Sequence, residues 1–377
     1  MSESILNSIV IPVFGNEKLL QNLLTTLLPT LDNYCEVIIA DDGLPNIKIN
    51  PQNLPPDLIY ISNKENLGYS GTANVGIKKA RGKYITTINS DILLDSNWLK
   101  ETRNIFERDQ KIGLVGAKLI FPDTGLIQHM GAKYGKDIVI NVNKMLKADD
   151  SATNYEMEVE SISDALATFP KELIVKIGGY DESFYNSHDD LDLCLKIKEF
   201  GYKVLYSPHI IGYHVTSASA DFRYLKENEG ASIFFNKWRE RLKYEEKDYF
   251  GQVIEKFRSR GNSFPQEAYI ADICRRASPQ IVQIFQEVSA IEIIQTYNYR
   301  SYLTDTPLYQ QKMDINLLDI LPFSHLKLNS PIIYVVDSFY FLKNNYYWAK
   351  NRRCQNDIVF DKGFNLFTLN EAVFYYD

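Results

Sequence analysis

Two clusters of acidic residues are the parts of this 377-residue chain best suited to chemistry. The first is Asn89-Ser90-Asp91, inside the stretch Lys83 to Asp95. The apolar, β-branched run Tyr84 to Ile88 reads as a buried strand that stops abruptly at these polar residues. In open parallel sheets ligands lie outside the carboxyl ends of the strands, so Asp91 projects into a crevice with no basic neighbour to neutralise it. Its natural partner there is a hard divalent cation carrying a phosphorylated ligand. The competing reading is that Asp91 only caps the helix beginning near Asn97-Trp98. The second cluster, His188-Asp189-Asp190-Leu191-Asp192, opens a helix whose apolar positions are Leu191, Leu195, Ile197 and Phe200 and which ends at Gly201. Acids at a helix start are favoured by its dipole, but three in four positions exceed what capping needs. A third pair, Asp41-Asp42, suits ribose hydroxyls or a base N–H, because a carboxylate accepts two donors at once. Followed by Gly43, it also suits a plain turn.

The elements that position these groups follow from pattern. Ser8 to Val13 is a short strand stopped by proline, followed by a helix with Leu19, Leu20, Leu23, Leu24, Leu27 and Leu28 on one face. Glu36 to Ala40 and Ile59 to Ile61 are the second and third strands. The loop from Asn63 to Gly76 enters a helix ending near Arg81-Gly82, and the Lys83 strand is the fourth. This alternation predicts an α/β sheet, largely parallel, with ligands at its carboxyl edge. The loop glycines, from Gly68 to Gly71, allow close approach of a phosphate, but their spacing is not GxGxxG and there is no Walker lysine.

Composition narrows the class. A chain of this length exceeds what one hydrophobic core usually serves, which predicts two domains. A formal net charge of −7 argues against generic nucleic-acid binding. Cys35, Cys194, Cys274 and Cys354 are far apart and form no CxxC pair, so neither a zinc site nor a disulfide framework is expected and a reducing compartment is. Met1-Ser2-Glu3-Ser4 carries an acid where a signal peptide carries positive charge, and no window reaches the roughly 18 apolar residues of a membrane span. The expectation is a cytoplasmic protein with at most a peripheral membrane contact.

Four segments in order carry a resemblance: IVIPVFGN at 9–16, VIIADDG at 37–43, NKENLGYSGTANVGIKKARGKYITTINSD at 63–91 and GGYDESFYNSHDDLDLCLKIKEFGYKVLYSP at 178–208. Over approximately residues 5 to 240 the chain resembles the family 2 glycosyltransferases of GT-A fold, particularly the rhamnosyltransferase-like branch that builds bacterial surface polysaccharides. The resemblance implies that Pro12, Val13, Asp41, Asp42, Asn66, Gly68 and Asn74, with Asn89 and Ser90, hold the nucleotide of a UDP- or dTDP-sugar. It implies that Asp91 holds Mn²⁺ or Mg²⁺ and that His214 completes the metal shell, although the usual Asp-x-Asp is Asn89-Ser90-Asp91 here. A cation there stabilises the departing diphosphate. Where the family has Glu-Asp-x-Asp, this chain has Asp189-Asp190-Leu191-Asp192. Asp190 then matches the general base, and the shortened Asp189 leaves the choice between the two open. Residues 113 to 135 read as a hairpin, and its His129 is either packed or touches the donor sugar. Ser163 to Pro170 resembles the strand lining the acceptor pocket, with Asp164 or Thr168 meeting the acceptor. Residues 136 to 160 read as a loop over the active site, and Ala231 to Leu242 as the helix closing the domain.

The expected boundaries are therefore 1–244 for a GT-A glycosyltransferase domain and 245–377 for a smaller, mainly helical, aromatic-rich domain serving acceptor docking or oligomerisation. In the latter, Glu245 to Arg260 and Gln266 to Ser289 have helical periodicity, with Pro279 starting or breaking a helix. Tyr, Phe and Asn crowd together from Ser338 to Trp348 and from Val373 to Asp377, where aromatics pack a core, stack on sugars or form an oligomer face. Lys350, Arg352 and Arg353 form a short basic run suited to anionic lipid. The function expected is inverting, metal-dependent transfer of a sugar to a hydroxyl of a glycan, lipid-linked or protein acceptor in surface polysaccharide synthesis. The alternatives are a protein or peptide glycosyltransferase and a non-catalytic nucleotide- or glycan-binding subunit.

Overall fold

A computed structural model describes residues 5–43, 49–136, 138–215, 220–274, 279–298, 317, 321, 323–337, 342, 344–354, 356–361 and 363–375. The chain divides into two units: Met1–Ala132 with Ala148–Leu242, and Lys133–Lys147 with Lys243–Asp377.

The first unit is an α/β sandwich. Its elements in order are β1 (Asn7–Val13), α1 (Glu17–Leu27), β2 (Cys35–Asp41), β3 (Ile59–Ser62), α2 (Gly68–Lys79), β4 (Tyr84–Ile88), β5 (Ile92–Leu94) and α3 (Trp98–Arg108). After β6 (Ile112–Ile120) and β7 (Ile127–His129), the chain makes a hairpin of β8 (Ala132–Gly135) and β9 (Ile138–Asn141). It continues through β10 (Met157–Glu158), β11 (Leu166–Pro170), α4 (Lys171–Lys176), α5 (Asp189–Glu199), β12 (Lys203–His214) and α6 (Ala220–Trp238). Among the described residues the central sheet runs β10-β12-β6-β11-β4-β1-β2-β3, with β5 beside β12 and β7 beside β6. Strands β1 to β4 pair in parallel, as do β6 and β12. Between β4 and β6 lies β11, antiparallel to both.

Strand periodicity explains the sandwich. Ile9, Ile11 and Val13 face one layer with Leu20, Leu23, Leu24 and Leu27 of α1, while Val10, Ile38 and Ile85 face the other with Ala73 and Ile77 of α2. Burying each such leucine stabilises the fold by about 1.5–3 kcal/mol. A Cβ on Gly76 would run into the Val10 side chain, so the glycine lets α2 lie close on β1.

The second unit corrects the expectation of a mainly helical domain. Its elements include β8 and β9, α7 (Glu246–Ser259), β13 (Glu267–Asp272), α8 (Pro279–Ser289), β14 (Glu292–Asn298), α9 (Phe323–Leu326), β15 (Ile332–Val336), α10 (Tyr346–Asn351), β16 (Ile358–Asp361), β17 (Leu366–Thr368) and α11 (Leu369–Phe374). Five strands form a sheet in the order β14-β13-β15-β16-β17, parallel except for β17. The helix expected over Gln266 to Ser289 is a strand, then a helix from Pro279. Ala268, Ile270 and Ala271 are all fully buried. A strand buried on both faces loses the period that separates it from a helix.

Part of the aromatic excess is core. Phe250, Phe285 and Phe360 lie with ring centroids 4.8–5.6 Å apart, and Tyr334, Trp348 and Phe257 are also fully buried. The basic run is broken up as well: Arg352 is buried in an ion pair with Asp357 at 2.6 Å, so only Lys350 and Arg353 face solvent. The stretch from Ser338 to Trp348 lies partly outside the described residues. The expected loop 136–160 is also revised. Its first part forms the β8–β9 hairpin and belongs to the second unit, and its last part pairs β10 with β12. This insertion changes the expected split at residue 244 into a discontinuous one.

Candidate active site

The mixed pairing of the first unit's sheet brings distant residues to one edge. Strands β1, β2, β4 and β12 end there, and β11, running the other way, begins there. Leu166 pairs with Ile88, and the Asn89 N–H donates to the Ala165 carbonyl at 2.9 Å. Asp164, which precedes β11, thus stands beside the Asn89-Ser90-Asp91 turn that follows β4. His214 ends β12 and pairs with Ile92, one residue past Asp91.

Asp91 and His214 meet. The Asp91 carboxylate lies 3.1 Å from Nε2 of His214, and the Val215 N–H donates to the Asp91 carbonyl at 3.0 Å. The side chains are 15 % and 7 % exposed. Behind the ring, Gln128 of β7 places its Oε1 2.6 Å from His214 Nδ1 and donates from Nε2 to the His214 carbonyl at 3.2 Å. Two cis ligands of an octahedral ion at about 2.1 Å stand about 3 Å apart, so the Asp91–His214 spacing fits one hard cation. Among the described residues no group of three or more His, Cys, Asp or Glu is placed to hold a metal. Asn89 Oδ1 is buried without a hydrogen-bond partner among the described residues.

The second cluster gathers around Tyr69. Its hydroxyl is buried, and its ionisation is pushed well above the ordinary phenol range, first by burial and then by the Asp164, Asp189 and Asp190 carboxylates. The phenol therefore stays protonated facing Asp164, though short of ideal hydrogen-bond geometry. Tyr180, edge-on to Tyr69 with ring centroids 6.0 Å apart, is raised likewise, by burial and then by Asp164. Asp189 is buried, whereas Asp190 is half-open and accepts from its neighbour's Leu191 N–H at 2.9 Å. His188 holds φ at 67°, left-handed for a non-glycine residue, and this turn aims the first residues of α5. The third aspartate is structural: Asp192 Oδ1 receives the Trp238 indole N–H and pairs with Lys237, each at 2.7 Å, tying α6 to α5.

Several expected site residues do other work. Thr168 sits within β11, 2 % exposed and bonded to Thr86 Oγ1 at 2.8 Å, so it belongs to the core and meets no acceptor. Asn74 is buried and clamps the loop at 180–182, accepting from the Tyr180 N–H and donating to the Tyr180 carbonyl and Glu182. Gly68, at φ 71°, has no room for a Cβ because the Tyr185 carbonyl and ring press on it. His129 accepts at Nε2 from the Ser163 N–H at 3.0 Å and so joins β7 to the approach of β11.

Pro12 and Val13 are buried, and the Val13 carbonyl accepts from the Asp42 N–H at 2.8 Å. Asp41 is fully buried and accepts from Gly43 N–H, Ile49 N–H and the Tyr60 hydroxyl. Asp42 accepts from Asn63 and from Leu67 N–H, and Asn66 donates to the Asp42 carbonyl. The acidic pair thus braces the turns that follow β2 and β3. Ser90 and Asn89 are half-buried at the edge.

Sequence reasoning missed Gln128, Tyr69 and Phe14. Phe14 directly follows β1 and is 50 % exposed at this same edge. An aromatic left open after a buried strand was the available signal for it, and a polar residue inside the apolar β7 was the signal for Gln128.

Residues 8–155 match the family described as Glycosyl transferase family 2. The chain is 25% identical over 223 residues to the O-antigen biosynthesis protein RfbC of Myxococcus xanthus, covering 56% of this chain and 17% of that one. It is 24% identical over 203 residues to poly-beta-1,6-N-acetyl-D-glucosamine synthase of Staphylococcus aureus strain COL, covering 52% and 46%. The matches thus span less than half the length of these curated relatives. Among solved structures, GalNAc-T7 with UDP, GalNAc and Mn²⁺ aligns with a TM-score of 0.50 at 12% identity, over 82% of this chain and 57% of that one. That likeness concerns the fold. Residues 8–155 therefore carry the family 2 glycosyltransferase match, and the first unit, which holds most of them, has the GT-A fold.

Proposed function

We propose that this protein is an inverting, divalent-cation-dependent glycosyltransferase that moves a sugar from a nucleotide-sugar donor to a hydroxyl of a growing glycan. The observation that carries the reading is the placement, at one sheet edge, of the Asp91–His214 pair and of the Asp164, Asp189 and Asp190 carboxylates around Tyr69. The first set suits the departing diphosphate and the second suits an incoming alcohol. The relatives named for O-antigen and poly-N-acetylglucosamine support a polysaccharide product.

Each residue then has a task. Asp91 and His214 hold the cation, which when bound neutralises charge on the leaving diphosphate. The open ring of Phe14 offers a stacking face for the nucleobase, beside Asp41, Asp42 and Asn66. Asp190, the more open of the two helix-start carboxylates, accepts the proton of the attacking hydroxyl. Asp164 orients that hydroxyl or the transferred sugar, and the neutral Tyr69 phenol screens the three carboxylates from one another. A base on one side of the anomeric carbon and a cation on the other gives inversion.

A second reading draws support from Asn89 and the two-ligand cation set: a non-catalytic subunit that binds a nucleotide sugar within an assembly complex. Nucleoside diphosphate release from a panel of UDP- and dTDP-sugars with Mn²⁺ or Mg²⁺ separates the two. The enzymatic reading expects metal-dependent release that Asp91→Asn abolishes. Metal-dependent thermal stabilisation by UDP or dTDP without any release favours the binding subunit.

A further inference from the structure

We infer that Gln128 is a positioning residue that fixes the tautomer of His214, and by doing so makes the Asp91–His214 pair able to hold a divalent cation. The inference rests on the cation-site reading above and adds to it a residue outside the ligand set.

Hydrogen-bond polarity sets the ring's tautomer. The His214 backbone carbonyl can only accept, so the group of Gln128 facing it at 3.2 Å is the amide nitrogen. The amide oxygen must then face His214 Nδ1, at 2.6 Å. A carbonyl oxygen has no proton to give, which leaves Nδ1 as the donor. With Nδ1–H fixed, a neutral imidazole presents a bare lone pair at Nε2, and Nε2 lies 3.1 Å from an Asp91 carboxylate oxygen. Two acceptors at that separation repel unless a proton or a cation lies at both. The same side chain thus grips one residue twice, at ring and backbone, and turns the coordinating nitrogen outward toward Asp91. Gln128 is 8 % exposed, so water does not compete for the grip.

The test uses the full chain at one fixed pH near 7.5, with wild type, Gln128→Met, Gln128→Glu and His214→Gln. Gln128→Met keeps length and removes both hydrogen bonds. Gln128→Glu keeps the acceptor toward Nδ1, and it serves as the second variant should the first fold poorly. The first readout is the tautomer, from long-range ¹⁵N–¹H correlations of histidine side chains, with His214 assigned by its loss in His214→Gln. Nδ1–H in the metal-free wild type, lost or mixed in Gln128→Met, is expected, whereas a wild type with only Nε2–H overturns the inference. The second readout is Mn²⁺ affinity by electron paramagnetic resonance titration, with and without UDP. Gln128→Met is expected to weaken Mn²⁺ by about 10–100-fold, with Gln128→Glu recovering most of the loss. Mn²⁺ binding in folded Gln128→Met within about threefold of wild type overturns the inference while leaving the cation site standing. A wild type that binds Mn²⁺ no better than His214→Gln overturns the cation-site reading itself, and the positioning role with it.

Discussion

Replacing Asp190 by asparagine separates catalysis from folding at this site. The isosteric amide keeps the Oδ1 that accepts from the Leu191 N–H at 2.9 Å, so the local turn is preserved. What is lost is one negative charge at the start of α5, worth about 0.3–1 kcal/mol against the helix dipole, and relief of repulsion from buried Asp189 and Asp192 offsets part of it. Stability should therefore change by less than about 1 kcal/mol. Removing a general base costs about 10²–10⁴-fold in rate, or about 3–5 kcal/mol in the barrier at 1.36 kcal/mol per decade. The gap between these two figures makes the experiment decisive. The assay is transfer with a donor from the UDP- and dTDP-sugar panel in saturating Mn²⁺, beside urea unfolding and thermal shift with UDP. The expected result is a collapse of kcat with unfolding midpoint and UDP stabilisation retained. Transfer by Asp190→Asn within about threefold of wild type refutes the base assignment. If Asp189→Asn alone collapses, the role moves to the buried carboxylate.

Three further outcomes follow from the contacts. Lys237→Met leaves the Asp192 carboxylate, whose side chain is only 1% exposed, without its cation and should cost about 3–5 kcal/mol in urea unfolding. Adding Asp192→Asn should recover much of that loss, and a purely additive double variant would contradict the pairing. Thr168→Val strands the Thr86 hydroxyl at a cost of about 1–3 kcal/mol but should leave kcat/KM unchanged, while Thr86→Val with Thr168→Val should be close to neutral. A specific loss of acceptor KM in Thr168→Val would return this residue to the acceptor site.

The last outcome concerns pH. Burial opposes ionisation of Asp181, yet hydrogen bonds from Lys237 and Ser183 hold its carboxyl at about 2, below the ordinary 3.8. A depressed acid stabilises the fold above its unfolded value and loses that contribution as pH falls from about 4 through 2. Up to about 2 kcal/mol should vanish over that window. Unfolding curves of Asp181→Asn should lack this component, and identical acid profiles for the two proteins would exclude it.

How much was legible in the sequence depended on whether a signal was local. The β1, β2 and β4 strands, α1, α2 and α5 announce themselves by apolar period and by the polar residues that stop them, because these depend on neighbours a few positions away. The strand at β13 did not, since burial on both faces erases the period, and the aromatic excess could not reveal that Phe250, Phe285 and Phe360 make a core. Roles of individual polar residues were less legible still. Asp190 and Asp192 look alike in the chain, yet one is half-open at the edge and the other is locked under Trp238 and Lys237. Asn74, Gly68 and Thr168 sit in motif-like positions but serve packing.

The sequence by itself determined that this chain makes an α/β sheet with carboxylates after its strands, because residue period and turn chemistry act within a few residues. Only the tertiary structure decided which of those carboxylates lie at one sheet edge. An antiparallel β11 placed between two parallel strands turns Asp164 toward the Asp91 edge, β12 delivers His214 there, and β7, paired with β6, brings Gln128 to the same place. Such meetings depend on strand order and direction, which no short stretch of sequence encodes.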